Sequence, residues 1–342
     1  MLVEKSVIEG PYLADLLEQP AALGRVWDRL EDIPQLREPR AGRIVLTGMG
    51  SSHHALYPLY LRLIAHGLPA HAVETAELIH YQLELMGEET LLVAVSQSGR
   101  SAEIVSLLAE CGLAVTVVGV TNDDTSPLAA SADLPLFLHA GPEATVSCKT
   151  YLSSLLALEW LGAVMTGGDL KTTHAELGTA GPAVAEYLAG WKEYVDELAA
   201  VVDGVERVYV TGRGPSLATA LTGGLILKES TRFAAEGMSC AAFRHGPLET
   251  VSPRVLVLIC EGDPKTAALN RGLARDVQTA GGRVAILGPS SPQRAFRWTE
   301  VPAALRPIME ILPVQMLSLA LAASLGREAG RFEKATKITD VE

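Results

Sequence analysis

The sequence has no concentrated block of positive charge. It contains 28 Lys and Arg against 40 Asp and Glu, its formal net charge is −12, and no run of Lys or Arg is longer than two residues. A nucleic-acid interface needs clustered cations that neutralise backbone phosphates. The composition therefore argues against a nucleic-acid partner.

The chain also has few cysteines. The four are far apart, none forms a CxxC pair, and three of them lie in apolar stretches. Neither a disulfide framework nor a cysteine metal site is expected from this spacing. We expect reduced thiols, most of them in the core.

Long apolar runs and a secretion signal are absent as well. The first ten residues, MLVEKSVIEG, lack the basic and apolar regions of a signal peptide, and no apolar run reaches the length of about 20 residues that spanning a bilayer requires. The interpretation is a cytoplasmic protein with no membrane partner.

What the chain does have is a series of short, continuous apolar runs between helical patterns. Such runs are typical of strands that are buried on both faces, and the intervening helices supply the crossovers of a parallel sheet. The sequence predicts an α/β protein built from doubly wound parallel sheets. The predicted strands are 44–46, 91–95, 115–120, 208–211, 256–260 and 284–287.

The pattern occurs twice. The strand and turn at 45–52, VLTGMGSS, resemble those at 209–216, YVTGRGPS, and the next strand follows at the same offset in each half. Two copies of one α/β unit explain this more simply than one large domain.

The duplication gives an expected domain organisation. Residues 1–42 are predicted to be an N-terminal helical arm, 43–168 the first domain, and 169–342 the second domain with a C-terminal tail. A single amphipathic helix is expected over about 181–202, leading into the second copy.

The copies differ where their second strand ends. The first copy has S-Q-S-G-R-S at 96–101, whereas the second has C-E-G-D-P at 260–264. Ligands of open α/β sheets bind outside the carboxyl ends of the strands. Hydroxyls, an amide and a glycine turn at a helix start suit a phosphate, although serine-glycine runs also occur in plain turns. The first copy alone is therefore predicted to bind phosphate.

Other motifs are weaker. The turn at 48–52, GMGSS, resembles a dinucleotide fingerprint only loosely and has no Walker lysine, so no nucleotide or other cofactor is expected. Adjacent His53 and His54 cannot present both rings to one helix face, and they are interpreted as satisfied surface or packing histidines.

Taken together, these features make the chain similar to the tandem sugar isomerase (SIS) domains of the isomerase half of glucosamine-6-phosphate synthase, from about Gly42 onward. Besides the serine loop, four segments carry the resemblance. They are T-V-S-C-K at 145–149, K-E-S at 228–230, R-H-G-P-L at 244–248, and A-T-K-I-T-D-V-E at 335–342.

The resemblance implies roles for individual residues. Glu229 would be the base that moves a proton between C1 and C2, His245 would assist ring opening, and Lys337 would reach the reacting end of the sugar. Glu229 is expected near the carboxyl end of the second sheet. Without the resemblance, each would pass as a surface or turn residue. The substrate-binding residues it implies are Ser52, Ser96, Gln97, Ser98, Ser101, Thr145 and Ser147.

The chain departs from the family pattern in three respects. Arg100 stands where the family has Glu, and Ile226 stands where it has a lysine that could stabilise negative charge on the substrate. A glutamine-hydrolysing domain is also absent, so we expect no glutamine-dependent synthesis.

The resemblance therefore predicts a homodimeric phosphosugar isomerase. Its substrate would be a hexose 6-phosphate or amino-sugar 6-phosphate, isomerised between aldose and ketose, with deamination or deglycation. The alternative is a non-catalytic phosphosugar-binding regulatory module, which needs the serine loop but not the Glu, His and Lys set.

Overall fold

The computed structural model describes residues 5–32, 42–111, 115–334 and 336–337. These form two compact units, each organised around one parallel sheet. The first-sheet unit comprises the described residues of 21–143, 148–179 and 334–342, and the second-sheet unit those of 1–20, 144–147 and 180–333.

The first sheet has strand order β2-β1-β3-β4-β5, with all pairings parallel. Its strands are β1 (Arg43–Gly48), β2 (Ala70–Glu74), β3 (Thr90–Val95), β4 (Thr116–Thr121) and β5 (Leu134–Phe137). Every residue of the central strand β3 is buried, which matches its uninterrupted apolar sequence. Edge strand β2 alternates between buried and more exposed positions.

Helices follow most of these strands. In chain order they are α1 (Pro11–Trp27), α2 (Gly50–Ala65), α3 (Thr75–Tyr81), α4 (Ala102–Glu110), α5 (Pro127–Ser131), α6 (Lys149–Met165) and α7 (Leu170–Leu177). Helix α6 is buried along its whole length. It packs against α2, where Arg62 forms a 2.8 Å ion pair with Glu159.

The second sheet repeats the order of the first without its fifth strand: β7-β6-β8-β9, again all parallel. Its strands are β6 (Arg207–Gly212), β7 (Ala235–Ser239), β8 (Val255–Cys260) and β9 (Arg283–Leu287). The helices of this unit are α8 (Ala180–Leu188), α9 (Trp191–Val202), α10 (Ser216–Thr231), α11 (Cys240–Arg244), α12 (Pro264–Thr279) and α13 (Arg306–Ser324).

The order shared by the two sheets confirms the predicted doubly wound α/β fold. The prediction of one helix over 181–202 is wrong. The chain forms α8 and α9, separated at Ala189 and Gly190. A Cβ atom at Gly190 would come within 2.7 Å of the Tyr194 ring, so glycine permits the close approach at this break.

Helix α13 forms the centre of the second-sheet unit. Every residue from Pro307 to Ala323 is buried. The 22-residue segment Ala303–Ser324 is long and apolar enough to cross a membrane, but 94% of its most apolar stretch is buried inside the protein. Such burial is typical of a core helix.

Candidate functional site

The serine loop lies at the carboxyl end of β3, between that strand and α4. Its backbone is fixed to the neighbouring strand, since Ser96 N–H donates to Val120 O at 3.0 Å and Asn122 N–H donates to Gln97 O at 3.0 Å. The side chains of Ser96 and Ser98 are buried. The loop is thus held rigidly before any ligand binds.

Both buried hydroxyls accept bonds from within the loop. Ser96 Oγ accepts from Gly99 N–H at 3.1 Å, and Ser98 Oγ accepts from Arg100 N–H at 3.2 Å. A hydroxyl that accepts still has its own proton to donate. These contacts therefore position two O–H donors at the sheet edge.

Gly99 is required at the turn of this loop. Its φ is +60°, and a Cβ atom there would overlap the Ser126 side chain and lie 2.9 Å from Thr121 Oγ1. Any other residue would be strained and would push the loop away from the end of β4.

The start of α4 is left without a cap. Ser101 occupies the N-cap position, but its side chain makes no capping bond, and its buried Oγ has no partner in the described part of the chain. The first N–H groups of a helix have no acceptor within the helix and attract anions. A buried, unused hydroxyl beside them is a further donor for such an anion.

Ser52 approaches the same place from β1. A Cβ atom at Gly48 would come within about 3 Å of both Val95 O and the backbone of Ser52 and His53, so α2 begins directly against the end of β3. The absence of a side chain at Gly48 brings Ser52 beside the serine loop. The five predicted phosphate ligands, Ser52, Ser96, Gln97, Ser98 and Ser101, thus all lie in the first-sheet unit.

His53 is not the satisfied histidine that its sequence suggested. It is half-buried, and its Nδ1 has no partner among the described residues. Burial lowers the pKa of His53, an effect opposed by the negative charge of Glu74. The imidazole of His53 is a further polar group at the carboxyl end of the first sheet. The one sign of this in the sequence is that His53 follows Ser52, a predicted phosphate ligand.

Arg100, the departure from the family pattern, braces the loop. Its guanidinium bonds Asp123 Oδ2 at 2.9 Å and both the carbonyl and the hydroxyl of Thr125, at 3.0 and 2.9 Å. Hydrogen bonds from Thr125 and Arg100 lower the pKa of Asp123. The substitution thus ties the serine loop to the loop after β4 and places a cation near it.

Lys337 lies in the same unit and is held by a buried carboxylate that the sequence did not single out. Its Nζ is 2.8 Å from Glu143 Oε2, and the Glu143 side chain is fully buried. Glu143 also accepts from Thr150 Oγ1 at 2.7 Å and from the N–H groups of Cys148 and Thr150. One carboxylate therefore organises both the start of α6 and the predicted catalytic lysine.

Glu229 and His245 belong to the second-sheet unit. Glu229 is half-buried in the last turn of α10. Its expected place at the carboxyl end of the second sheet is wrong, because α10 runs antiparallel to the strands and carries its last turn back to the amino end of β7, where Lys228 faces Glu236 at 3.9 Å. His245 is exposed just after α11.

The remaining predicted ligands, Thr145 and Ser147, also belong to the second-sheet unit. Their segment is tied to α1 by a 2.8 Å bond from Ala144 N–H to Asp15 Oδ2. Thr145 Oγ1 is buried and has no partner within the described ranges. Each is half-buried rather than fully enclosed.

The second sheet ends differently at the matching position. Helix α12 begins with Pro264 at its first turn, and the Asp263 carboxylate accepts from Lys265 N–H at 2.9 Å. The helix therefore carries its own anion, and proline removes one N–H. The start of α12 is therefore already capped and is not available to a phosphate in the way that the start of α4 is.

Comparison with known proteins agrees with this architecture. The family model described as SIS domain matches residues 39–163 and 204–325. Glutamine–fructose-6-phosphate aminotransferase [isomerizing] of Pyrococcus horikoshii is 29% identical over 355 residues, covering 100% of this chain and 59% of that protein. The chain thus spans less than two thirds of this relative.

Two solved structures show the same fold. The C-terminal domain of glucosamine-fructose-6-phosphate aminotransferase from Francisella tularensis has a TM-score of 0.83 at 20% identity, covering 94% of this chain and 98% of that one. Glucosamine-6-phosphate deaminase from Thermotoga maritima has a TM-score of 0.76 at 18% identity, covering 93% and 96%. Since the family model matches more than half of the sequence, once in each half, the chain belongs to the SIS domain family.

Proposed function

We propose that this chain is a phosphosugar isomerase that acts on a hexose 6-phosphate or amino-sugar 6-phosphate, with deamination or deglycation at C2 or C1. The observation that carries the proposal is the serine loop at the start of α4, with its uncapped helix and the buried, unpartnered Ser101 hydroxyl. Such a set of donors without a fixed carboxylate is suited to a phosphate dianion. That the substrate is a sugar phosphate, with or without an amino group, is inferred from the names of the relatives.

The proposed chemistry divides between binding and proton transfer. The phosphate is held by Ser52, Ser96, Gln97, Ser98 and Ser101, and the sugar is contacted by Thr145 and Ser147. Glu229 is the base for the C1–C2 proton transfer, and His245 assists ring opening. These roles come from the family resemblance, and the rigid loop supports the binding half of them.

Lys337 is the third proposed catalytic group. Its ion pair with Glu143 fixes the ammonium, and its side chain is 21% exposed. A fixed ammonium can stabilise negative charge on a substrate oxygen as the enediolate forms. Glu143 is thus a proposed positioning residue.

We also propose a homodimer with the domain limits 1–42, 43–168 and 169–342. The exposure of His245, a residue proposed to act on the sugar, is consistent with a site completed by a second copy of the chain. Sedimentation velocity tests the dimer: a fully active monomer would contradict it.

A non-catalytic phosphosugar-binding module is the second candidate. One observation favours it: Ile226, at the family's lysine position, is 1% exposed and brings no charge to the site. The same serine loop would serve this function. Turnover separates the two candidates.

The test is a substrate panel of hexose 6-phosphates, glucosamine 6-phosphate and fructosamine 6-phosphates. Ketose formation and released ammonia or amine are followed together with binding by calorimetry. Turnover of at least one substrate is the expected result. Tight binding of a phosphosugar without any turnover would replace the enzyme by the binding module, and absence of binding would contradict both.

A further inference from the structure

A cavity lies at the carboxyl end of the second sheet, and the function proposed for the serine loop gives it no role. Its volume is about 510 Å³, and it is lined in part by Glu261, Arg271, Trp298, Glu300, Arg306 and Glu310. Cavities of about 300–1,000 Å³ at this edge of a parallel sheet are the usual size and position for small-ligand sites.

Glu310 is the most unusual residue of this cavity. It is 1% exposed on α13, among apolar neighbours, and it accepts from Ser216 Oγ at 2.8 Å and Thr219 Oγ1 at 3.2 Å. The backbone of Gly262 also hydrogen-bonds to this carboxyl. A carboxylate has about four acceptor positions, so one further donor can still be accommodated. Burial raises the pKa of Glu310 to about 7, so ionising it without a cation is costly.

Burial raises the pKa of Glu310 more than the charge of Arg306 lowers it, and the described residues show no ion pair between the two. Arg306 bonds Glu300 Oε1 at 3.0 Å, so its charge is shared with an exposed carboxylate. A buried acid that lines a cavity and has no ion pair within the described part of the chain is the arrangement expected of a group that binds a positively charged ligand.

Two donors of the same cavity are unused. Arg271 makes no hydrogen bond or ion pair within the described part of the chain, although it lines the cavity. The indole Nε1 of Trp298 is buried and, among the described residues, has no acceptor. Buried polar atoms in native proteins nearly always have a partner, so an unpartnered indole N–H in a residue that lines the cavity points to an acceptor supplied by a ligand.

The hydrogen-bond donors and the carboxylates of this cavity together favour a ligand that carries both a negative and a positive charge. Arg271 and Trp298 offer donors to an anion, whereas Glu310 and Glu261 offer acceptors to a cation. A phosphate dianion fits poorly, because α12 is already capped by Asp263 and carboxylates outnumber the free arginine. A planar carboxylate suits a single arginine through two parallel bonds.

The geometry points to a second, non-phosphate site in the second-sheet unit that binds a free α-amino acid, with its carboxylate on Arg271 and Trp298 and its ammonium on Glu310. This site is independent of the reaction proposed for the serine loop, so either assignment can fail without the other.

The first experiment uses the full chain and the common L-amino acids at millimolar concentration, scored by thermal shift and then by calorimetry. For the tightest ligand, the N-acetyl derivative removes the ammonium and the methyl ester removes the carboxylate. We expect at least one amino acid to bind and both derivatives to bind about tenfold more weakly or worse, since each loses a charge-assisted bond. No binding by any amino acid, or undiminished binding of either derivative, would overturn the assignment.

Arg271→Gln and its matched control, Arg275→Gln one turn further along α12, then locate the site. Both residues are exposed, but Arg271 alone of the two lines the cavity. We expect about a tenfold increase in Kd for Arg271→Gln and for Trp298→Phe, and no change for Arg275→Gln. Equal binding by wild type and Arg271→Gln, or Arg271-dependent binding of glucose 6-phosphate, would refute the site.

Discussion

β3 and β8 occupy the same place in the strand order of their sheets, yet the side chains that follow them at the carboxyl end are chemically opposite. In the first sheet, buried serine hydroxyls surround a helix start that has no cap. In the second sheet, Glu261 follows the strand, and the next helix is closed by Asp263 and Pro264. The two copies therefore share the backbone arrangement at this place, whereas a few side chains at the helix start determine whether an anion can bind there.

The largest expected effect separates proton transfer, proposed for Glu229 in the second-sheet unit, from phosphate binding, proposed for the first-sheet unit. Glu229→Gln keeps the size and hydrogen bonding of the side chain but removes its basic lone pair. We expect kcat to fall between about a hundredfold and ten thousandfold, with phosphosugar affinity little changed. Stopped-flow assays with calorimetry measure the two quantities, and an unchanged kcat would remove Glu229 from the mechanism.

A single substitution should make the start of α4 resemble the capped start of α12. Ser101→Asp supplies α4 with its own anionic cap, as Asp263 does for α12, and repels a phosphate. We expect Kd for a hexose 6-phosphate to rise about a hundredfold, whereas the free energy of unfolding stays equal or increases because the helix gains a cap. Calorimetry and denaturant unfolding test both parts. Undiminished binding would show that the start of α4 does not hold the phosphate.

The second-sheet unit should show a pH effect that comes from Glu310. The pKa of Glu310 is raised to about 7 in the folded state from 4.5, so the folded protein binds more protons than the unfolded chain between these values. Its contribution to stability is therefore fully present below about pH 4.5 and is lost as pH rises toward 7. We expect the stability of wild type relative to Glu310→Gln to fall by about 2 kcal/mol between about pH 5 and pH 8.

Denaturant unfolding of both proteins across this range measures that difference. Ser216 and Thr219 can still donate to the Gln side-chain oxygen, so the variant keeps the main local contacts. Parallel pH profiles for the two proteins would mean that Glu310 is not the titrating group.

Glu143→Gln tests the positioning of Lys337 in the first-sheet unit. The amide cannot ion-pair with the ammonium, although it can still accept from Thr150. We expect kcat to fall about tenfold, since a catalytic group loses its fixed orientation, while KM changes little. A larger change in KM than in kcat would indicate that Glu143 acts on phosphosugar binding instead.

The smallest effect concerns the cap of the second sheet. Asp263→Ala should lower the free energy of unfolding by about 1 kcal/mol through loss of the N-cap. Phosphosugar affinity should not change, because this helix start does not contribute to the serine-loop site. A gain of a second phosphosugar site in the variant would show that Asp263 alone had excluded it.

Much of the fold could be predicted because the central strands are uninterrupted apolar runs. Three edge strands, β2, β5 and β7, were missed because only one or two positions of each are buried, so their sequences look like loops, whereas edge strand β9 was predicted from its apolar run. The break between α8 and α9 depends on a close approach at Gly190, which no local pattern reveals.

The site was predictable only where the two copies could be compared. The serine loop stands out against the second copy, but the Glu143 contact joins residues 194 positions apart, and sequence spacing gives no sign of it. A helix that connects two parallel strands runs antiparallel to them, so its last turn lies near the amino end of the next strand. Placing Glu229 therefore requires counting the turns of α10.

We expect the phosphate of the sugar to bind at the carboxyl end of the first sheet and not at that of the second. A crystal structure of the full chain soaked with a hexose 6-phosphate tests it most directly. We expect phosphate density against the Ser96–Ser101 loop, within hydrogen-bonding distance of the Ser101 hydroxyl. Phosphate density at residues 261–264, with the serine loop empty, would contradict it.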